Sequence, residues 1–190
     1  LSSEPARTRD GTAIEVLANV GCVEDAVSAA ENGADGVGLY RMEQYYLSRK
    51  TPPTEEALLA TLHKIVEPMK GKTITVRLLD LGGDKLPPSV RIPCGTNPAM
   101  GLRSIRYSLK REDVFRTQLR AILRSSTLGN LRLLLPMIGS LHELRAAKKV
   151  IDDVRCELDA ELSPFDHALQ IGIMIEVPSA ALTASVLAAE

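Results

Sequence analysis

The sequence lacks the bulk features of several large functional classes. Its 23 Lys and Arg residues are balanced by 24 Asp and Glu residues, so there is no overall positive field to attract nucleic acid or a membrane surface. Its apolar runs, such as those within LRLLLPM and IGIMI, are far shorter than the roughly 20 residues that span a bilayer. Any anion site on this chain must therefore be local, and we expect no nucleic-acid or membrane partner.

Cysteines are few, and an export signal is absent from the first residues. The three cysteines, Cys22, Cys94 and Cys156, are widely spaced and form no CxxC pair, which suits a reducing cytosol better than a disulfide framework. The opening LSSEPARTRDG has no basic stretch followed by an apolar segment. We therefore expect a cytoplasmic protein, with residues 1–10 forming a linker.

Two nucleotide-binding fingerprints are also missing. No GxGxxG or GxxxxGK[ST] motif follows a strand, which weakens the dinucleotide-binding and P-loop interpretations, and no serine lies in a GxSxG turn. What the chain does have is enough length and apolar content, 190 residues and 45% hydrophobic, to bury one domain core.

Strand and helix patterns alternate along the chain. Strands are predicted at 14–20, 36–41, 73–80, 131–137 and 171–178, each followed by a helical pattern. This alternation gives a parallel α/β sheet, either an open doubly wound sheet or a closed barrel, and the missing fingerprints favour a (β/α)8 TIM-type barrel. Such a barrel takes about 250 residues. We therefore expect residues 11–190 to form its N-terminal part, with about five βα units.

Several helix signals are local and specific. Asn32 and Gly33 should end the first helix, and Ser140 with Glu143 should form a capping box. Three apolar faces are predicted: Val23, Ala26, Val27 and Ala30; Leu58, Leu62, Ile65, Val66 and Met69; and Leu144, Ala147, Ile151, Val154 and Leu158.

Three arginines lie at the carboxyl end of a predicted strand or in the segment that follows it. They are Arg41, Arg77 and Arg103, and Glu176 ends the fifth predicted strand. A parallel barrel gathers the carboxyl ends of its strands on one face, so these cations should converge there with a carboxylate that can hold a metal. The pattern predicts a site for a small, multiply charged anion.

Each of these residues also has a structural interpretation. Arg77 could form an ion pair with Asp80 or Asp84, and Arg41 could pair with Glu43.

The remaining candidates have similar alternatives. Arg103 and Arg106 could be ordinary arginines of a helix surface, and Glu176 could accept N–H groups from the start of the next helix. Gly82 and Gly83 allow close backbone approach to an anion, or simply make a turn. Lys85 could contact a phosphate or be solvated.

A family resemblance joins these segments. In chain order, they are GADGVGLYRMEQYYLSR, TVRLLDLGGDK, NPAMGLRSIR, QLRAILRSS, LPMI and GIMIEVPSA. They resemble the phosphoenolpyruvate (PEP)-binding barrel of the PEP-utilising enzymes, and most closely Enzyme I of the bacterial phosphotransferase system. The resemblance runs from about Asp10 to the last residue, and the GGDK loop is more typical of Enzyme I than of pyruvate phosphate dikinase or PEP synthase.

The resemblance implies roles for matching positions. Arg41 and Arg77 would hold the transferable phosphoryl group, Arg103 would clamp PEP, and Glu176 would be one of two carboxylate ligands of Mg²⁺. The phosphoryl group would pass to a histidine on a separate domain, then to the carrier protein HPr and to sugar uptake, with pyruvate as product. Enzyme I barrels pair as homodimers, so the resemblance also implies a homodimer.

The resemblance also has limits. Met42 stands where the family often has Thr, which is expected to remove a hydroxyl from the rim of the site. The second metal ligand, a further arginine and a proton-donating cysteine are expected beyond Glu190, so the chain alone should be nearly inactive. The alternatives are a dikinase-like or synthase-like barrel that uses a nucleotide, and a non-catalytic module for PEP sensing or dimerisation.

Overall fold

A five-stranded parallel sheet forms the centre of the fold. The computed structural model of the chain describes residues 4–82, 97 and 99–190. Its strands are β1 (Leu17–Val20), β2 (Gly36–Arg41), β3 (Thr73–Arg77), β4 (Leu131–Leu135) and β5 (Gln170–Ile173). Neighbours in the sheet follow chain order, β1-β2-β3-β4-β5, and every pair is parallel. A doubly wound sheet reverses its strand order at a switch point, so this sequential order confirms the partial TIM-like barrel.

Helices connect the strands. They are α1 (Val23–Glu31), α2 (Glu43–Leu47), α3 (Glu55–Val66), α4 (Ser104–Lys110), α5 (Glu112–Ser125), α6 (Leu141–Ala160), α7 (Pro178–Leu182) and α8 (Ala184–Ala188). The sequence did not predict α2, because five residues are too few to show a helical period. The fifth predicted helix is two short helices that meet at Thr183. Within the part of the chain that is described, no helix combines the length and apolarity needed to cross a membrane.

Four strands are shorter than predicted, and of these β4 ends at Leu135 instead of position 137. β1 begins at Leu17, because the N–H group of Val16 bonds to the Asp35 carboxylate at 2.7 Å. β3 ends at Arg77 instead of position 80, since the N–H of Leu79 bonds to the Gln118 side chain at 3.1 Å. β5 ends at Ile173, so the prediction that Glu176 ends a strand is wrong by three residues.

The core lies between the sheet and its helices, much as the apolar faces predict. All five predicted positions of α3 and its following turn are buried, and so are the five of α6. In α1 the predicted face is too wide, because Val27 is 40% exposed whereas Ala26 is fully buried. The helix α1 does end at Asn32, and Gly33 follows with a φ of 77°.

The predicted capping box of α6 is half formed. The Ser140 hydroxyl accepts a bond from the N–H of Glu143 at 3.2 Å, as expected. The Glu143 carboxylate does not return to the backbone of Ser140; it accepts from the N–H of Gly139 at 2.8 Å and pairs with Arg106. This arrangement ties α6 to α4 at the carboxyl end of the sheet.

Candidate functional site at the carboxyl end of the sheet

The structure places Arg41, Arg77, Arg103 and Glu176 at or beyond the carboxyl ends of their strands. Arg41 and Arg77 are register partners on the last residues of β2 and β3. Arg103 caps the N-terminus of α4, which follows β3 in the chain, and Glu176 lies three residues past β5. Lys85 lies outside the described residues, so its proposed contact with phosphate stays a prediction.

Arg77 is held by two carboxylates. Its side chain is 9% exposed, Nη2 forms an ion pair with the buried Glu43, and Nη1 lies 3.4 Å from Asp80 Oδ2. Nη1 also lies 3.9 Å from the sulfur of Met174, just beyond β5. The interpretation that Arg77 pairs with Asp80 is confirmed, and the guanidinium still has its Nε–H group and one N–H of Nη2 for an anion.

The interpretation that Glu43 pairs with Arg41 is wrong. The backbone of Met42 adopts helical angles, φ −61° and ψ −25°, and this turn directs the Glu43 side chain to Arg77. Met42 itself is 1% exposed and belongs to the core. Its side chain fills apolar space, and the expected loss of a hydroxyl from the edge of the site stays a prediction.

Arg41 lies beside the end of β1. A side chain on Gly21 would come within 3.2 Å of Arg41 Nη2, so the glycine leaves room for the guanidinium. The Asp25 carboxylate accepts the N–H of Gly21 at 2.8 Å. This hydrogen bond, helped by one from Cys22 and by the charge of Arg41, holds the pKa of Asp25 below its ordinary value.

Asp80 joins two of the arginines. Its Oδ1 accepts from Arg103 Nη2 at 2.8 Å and from the Ser104 hydroxyl, while Oδ2 faces Arg77. Burial raises the pKa of this carboxyl, but the hydrogen bonds from Ser104 and Arg103 and the charge of Arg77 outweigh it, so the pKa lies below its ordinary value. Asp80 is thus an ionised carboxylate at the centre of the arginine cluster.

The backbone near Arg103 is unusually close to the end of β3. Gly82 has a φ of 139°, and a Cβ there would lie 2.9 Å from the Cα of Arg103. Ser104 has a φ of 48°, a left-handed conformation that is uncommon for serine, and its N–H bonds to the carbonyl of Leu81 at 2.8 Å. The missing side chain at Gly82 therefore makes room for the backbone of Arg103. Gly83 lies outside the described residues.

Three arginine donors in this cluster are buried without an acceptor. Across residues 4–82, 97 and 99–190, the Nε–H groups of Arg41, Arg77 and Arg103 find no hydrogen-bond partner. A buried donor without a partner costs about 1–3 kcal/mol. An anion that accepted these hydrogen bonds would recover that cost, and guanidinium groups suit phosphate and carboxylate oxygens.

Glu176 presents an exposed carboxylate near this cluster. Its Oε1 accepts the N–H of Met137 at 2.7 Å, and Met137 has a φ of 57°. The expected partner was the start of the following helix, so that interpretation is wrong: the N–H group comes from the segment after β4.

The surroundings of Glu176 suit a carboxylate that this chain contributes to a bound Mg²⁺. Among the described residues there is no group of three or more His, Cys, Asp and Glu side chains arranged for a metal. Mg²⁺, however, commonly binds through one or two carboxylates together with substrate phosphates and water. An exposed carboxylate that is oriented by one backbone N–H group meets that requirement.

Arg106 supports the segment before α4. Its Nε bonds to Glu143 at 2.8 Å, and its Nη1 reaches the carbonyl groups of Met100 and Gly101. Arg103 is bound to Asp80, so both arginines hold other segments in place. The interpretation that Arg103 and Arg106 are ordinary arginines of a helix surface is therefore wrong.

Sequence reasoning assigned Glu43 to Arg41 instead of Arg77, and it missed Ser104 as a part of this cluster. Glu43 is 34 residues from Arg77 in the chain, so spacing gives no sign of the pair. A usable signal existed in principle: Arg77 lies within an apolar strand and therefore needs a buried acid, and Glu43 follows the end of the neighbouring strand.

Comparisons with known proteins agree along the whole chain. The family model described as PEP-utilising enzyme, PEP-binding domain, matches residues 1–190. A phosphoenolpyruvate-protein phosphotransferase from Haemophilus influenzae is 42% identical over 190 residues, 100% of this chain and 33% of that protein. One from Priestia megaterium is 41% identical with the same coverage. A multiphosphoryl transfer protein from Rhodobacter capsulatus is 44% identical over 185 residues, 97% of this chain and 22% of that protein.

The chain spans a third or less of the length of these curated relatives. The family match covers every residue, including both strand ends that carry Arg41 and Arg77. The chain therefore belongs to the PEP-utilising enzyme family and corresponds to its PEP-binding domain.

Proposed function

We propose that this chain is the PEP-binding part of an Enzyme I-like phosphotransferase. Such an enzyme moves the phosphoryl group of PEP to a protein histidine and then to HPr for sugar uptake. The observation that carries the proposal is the cluster of three arginines with buried, unpartnered Nε–H groups at one end of the sheet. The relatives named phosphoenolpyruvate-protein phosphotransferase favour this reaction over those of a dikinase or a sensing module.

The proposed catalytic residues are Arg41 and Arg77, which would bind the phosphoryl group. Phosphoryl transfer depends mainly on positioning and on neutralising charge at the oxygens, and arginine groups supply both. Arg103 would bind the other end of PEP, and Lys85 would add a point charge. Because Glu43 and Asp80 hold the terminal nitrogens of Arg77, its guanidinium is fixed before the substrate arrives.

Mg²⁺ is the proposed cofactor, with Glu176 as a ligand from this chain. Bound there, the metal would neutralise charge on the carboxylate and phosphate oxygens of PEP. The N–H of Met137 would hold one Glu176 oxygen, which leaves the other for the metal.

The remaining proposals concern the protein around the site. HPr would be contacted through a further domain, the protein would form a homodimer, and residues 1–10 would be a linker before the barrel residues 11–190. Cys22 and Cys156 are free, exposed thiols, which suits the cytoplasm as the proposed location.

The test uses the Haemophilus influenzae relative with its matching segment replaced by this chain. We expect PEP-dependent pyruvate release with HPr, and a loss of at least about a hundredfold in Arg77→Ala, since one preorganised donor to a developing charge is worth that much. Arg111→Ala is the matched control, because the Arg111 side chain is 50% exposed and pairs with Asp113, which is not part of the cluster. Equal rates in Arg77→Ala and the unsubstituted protein would contradict the proposal.

A further inference from the structure

We propose that Asp80 is a positioning residue that sets the spacing between the Arg77 and Arg103 guanidinium groups. This inference rests on the proposed function and adds a residue to it. Asp80 touches both arginines through different oxygens, Oδ2 to Arg77 at 3.4 Å and Oδ1 to Arg103 at 2.8 Å. One carboxylate thus links the end of β3 to the first turn of α4.

Asp80 is itself tightly held. It is 5% exposed, and its Oδ1 accepts the hydroxyl of Ser104, whose backbone is fixed to Leu81 by a 2.8 Å hydrogen bond. The absence of a side chain at Gly82 lets Arg103 come this close. The left-handed backbone of Ser104 is the kind of strained geometry that proteins keep where position matters.

The contacts of Asp80, a hydrogen bond from Arg103 and an ion-pair contact with Arg77, leave the Nε–H group of each arginine free. Asp80 takes one terminal nitrogen from each guanidinium, while the Nε–H of both arginines stays buried without an acceptor among the described residues. The two free donors are therefore held at a fixed separation. A displacement of about 1 Å in such groups can lower a rate by about a hundredfold.

The negative charge of Asp80 makes it possible to distinguish a role in positioning the arginines from a role in PEP affinity. A carboxylate beside an anion site repels the anion, so Asp80 cannot be present to strengthen PEP binding. Asp80→Asn removes that repulsion but also weakens the contact with Arg77, since an amide nitrogen or a neutral oxygen replaces the charged acceptor. We therefore expect turnover to fall without a loss of affinity for PEP.

The experiment measures both quantities in the Haemophilus influenzae relative that carries this chain. For Asp80→Asn we expect a PEP dissociation constant that is unchanged or lower, and a kcat about a hundredfold lower. Asp113→Asn is the matched control: Asp113 forms a similar ion pair, with Arg111 at 2.7 Å, but its side chain is 65% exposed. The control should leave both quantities unchanged.

The outcomes separate the inference from the proposed function. If the unsubstituted protein binds PEP and releases pyruvate but Asp80→Asn has the same kcat, the inference fails alone. If affinity and kcat fall together with the urea midpoint, Asp80 is merely structural and the inference also fails. If the unsubstituted protein neither binds PEP nor turns it over, both fail.

A second variant covers the case in which Asp80→Asn does not fold. Ser104→Gly removes the hydroxyl that holds Asp80 and suits the left-handed backbone angle. We expect a smaller fall in kcat, on the order of tenfold, with PEP affinity unchanged, because Asp80 keeps its charge and is displaced less. An unchanged kcat in this folded variant would overturn the inference.

Discussion

Glu43→Ala is the sharpest test of the buried ion pair beneath the site. Glu43 is 1% exposed and pairs with Arg77, whose side chain is 9% exposed. Removing one partner of a buried pair costs about 3–5 kcal/mol, because the other charge is left without compensation.

Two features of the site place this variant at the lower end of that range. Arg77 keeps a second partner, Asp80, at 3.4 Å. In addition, Glu43 Oε2 is buried without a donor in the described part of the chain, and the substitution removes that unsatisfied acceptor. We therefore expect a loss of about 3 kcal/mol in the free energy of unfolding.

The assay is urea unfolding of this chain followed by circular dichroism. With a slope of about 2 kcal/mol per M, the expected midpoint shift is about 1.5 M. Glu112→Ala is the matched control, since Glu112 pairs with Arg116 at 2.7 Å but its side chain is 50% exposed, and it should cost less than about 1 kcal/mol. Inorganic phosphate should restore more stability to Glu43→Ala than to the unsubstituted chain, because it can pair with Arg77. Equal losses in the two variants would refute the reasoning.

Three further predictions concern stability. Gly82→Ala should destabilise the chain by about 2–4 kcal/mol, because Gly82 has a positive φ and a Cβ there would contact Arg103. Gly71 also has a positive φ but lies in open space, so Gly71→Ala should cost less. Equal urea midpoints for the two variants would contradict this. Because the pKa of Asp80 is lowered in the folded state, its contribution is present at neutral pH and is lost as the pH falls below about 4. Asp80→Asn should therefore flatten the acid part of the stability profile, and an unchanged slope would count against an ionised Asp80. Arg120 joins Glu55 and Glu161, each at 2.6 Å, so Arg120→Ala should lower Tm in low salt and less in 1 M NaCl; an equal loss in both would argue against an electrostatic origin.

Local patterns predicted most of the fold. The buried faces of α3 and α6 follow from helical spacing, and the Ser140 cap and the stop at Asn32 follow from single residues. Strand order follows from the alternation of strands and helices. What failed were strand ends and the short helix α2, which depend on contacts between distant segments, such as Leu79 with Gln118.

The site was predicted in its residue types but not in its pairings. Arginines at strand ends are visible in the sequence because the carboxyl ends of parallel strands share one edge. The partner of each arginine is a tertiary contact, so Glu43 was assigned to Arg41 when it binds Arg77. The assignment failed because Met42 has helical backbone angles at the end of β2. This turn points the Glu43 side chain toward Arg77 instead of Arg41.

The central claim is that Arg77 and its neighbours form a PEP site, and calorimetry tests it most directly. PEP is titrated, with Mg²⁺ present, into the Haemophilus influenzae relative that carries this chain and into its Arg77→Met variant. We predict that the variant binds PEP about a hundredfold more weakly, since two charge-assisted hydrogen bonds at about 1.5 kcal/mol each are lost. Equal affinity in the two proteins would contradict the account and leave Arg77 with only its structural ion pairs.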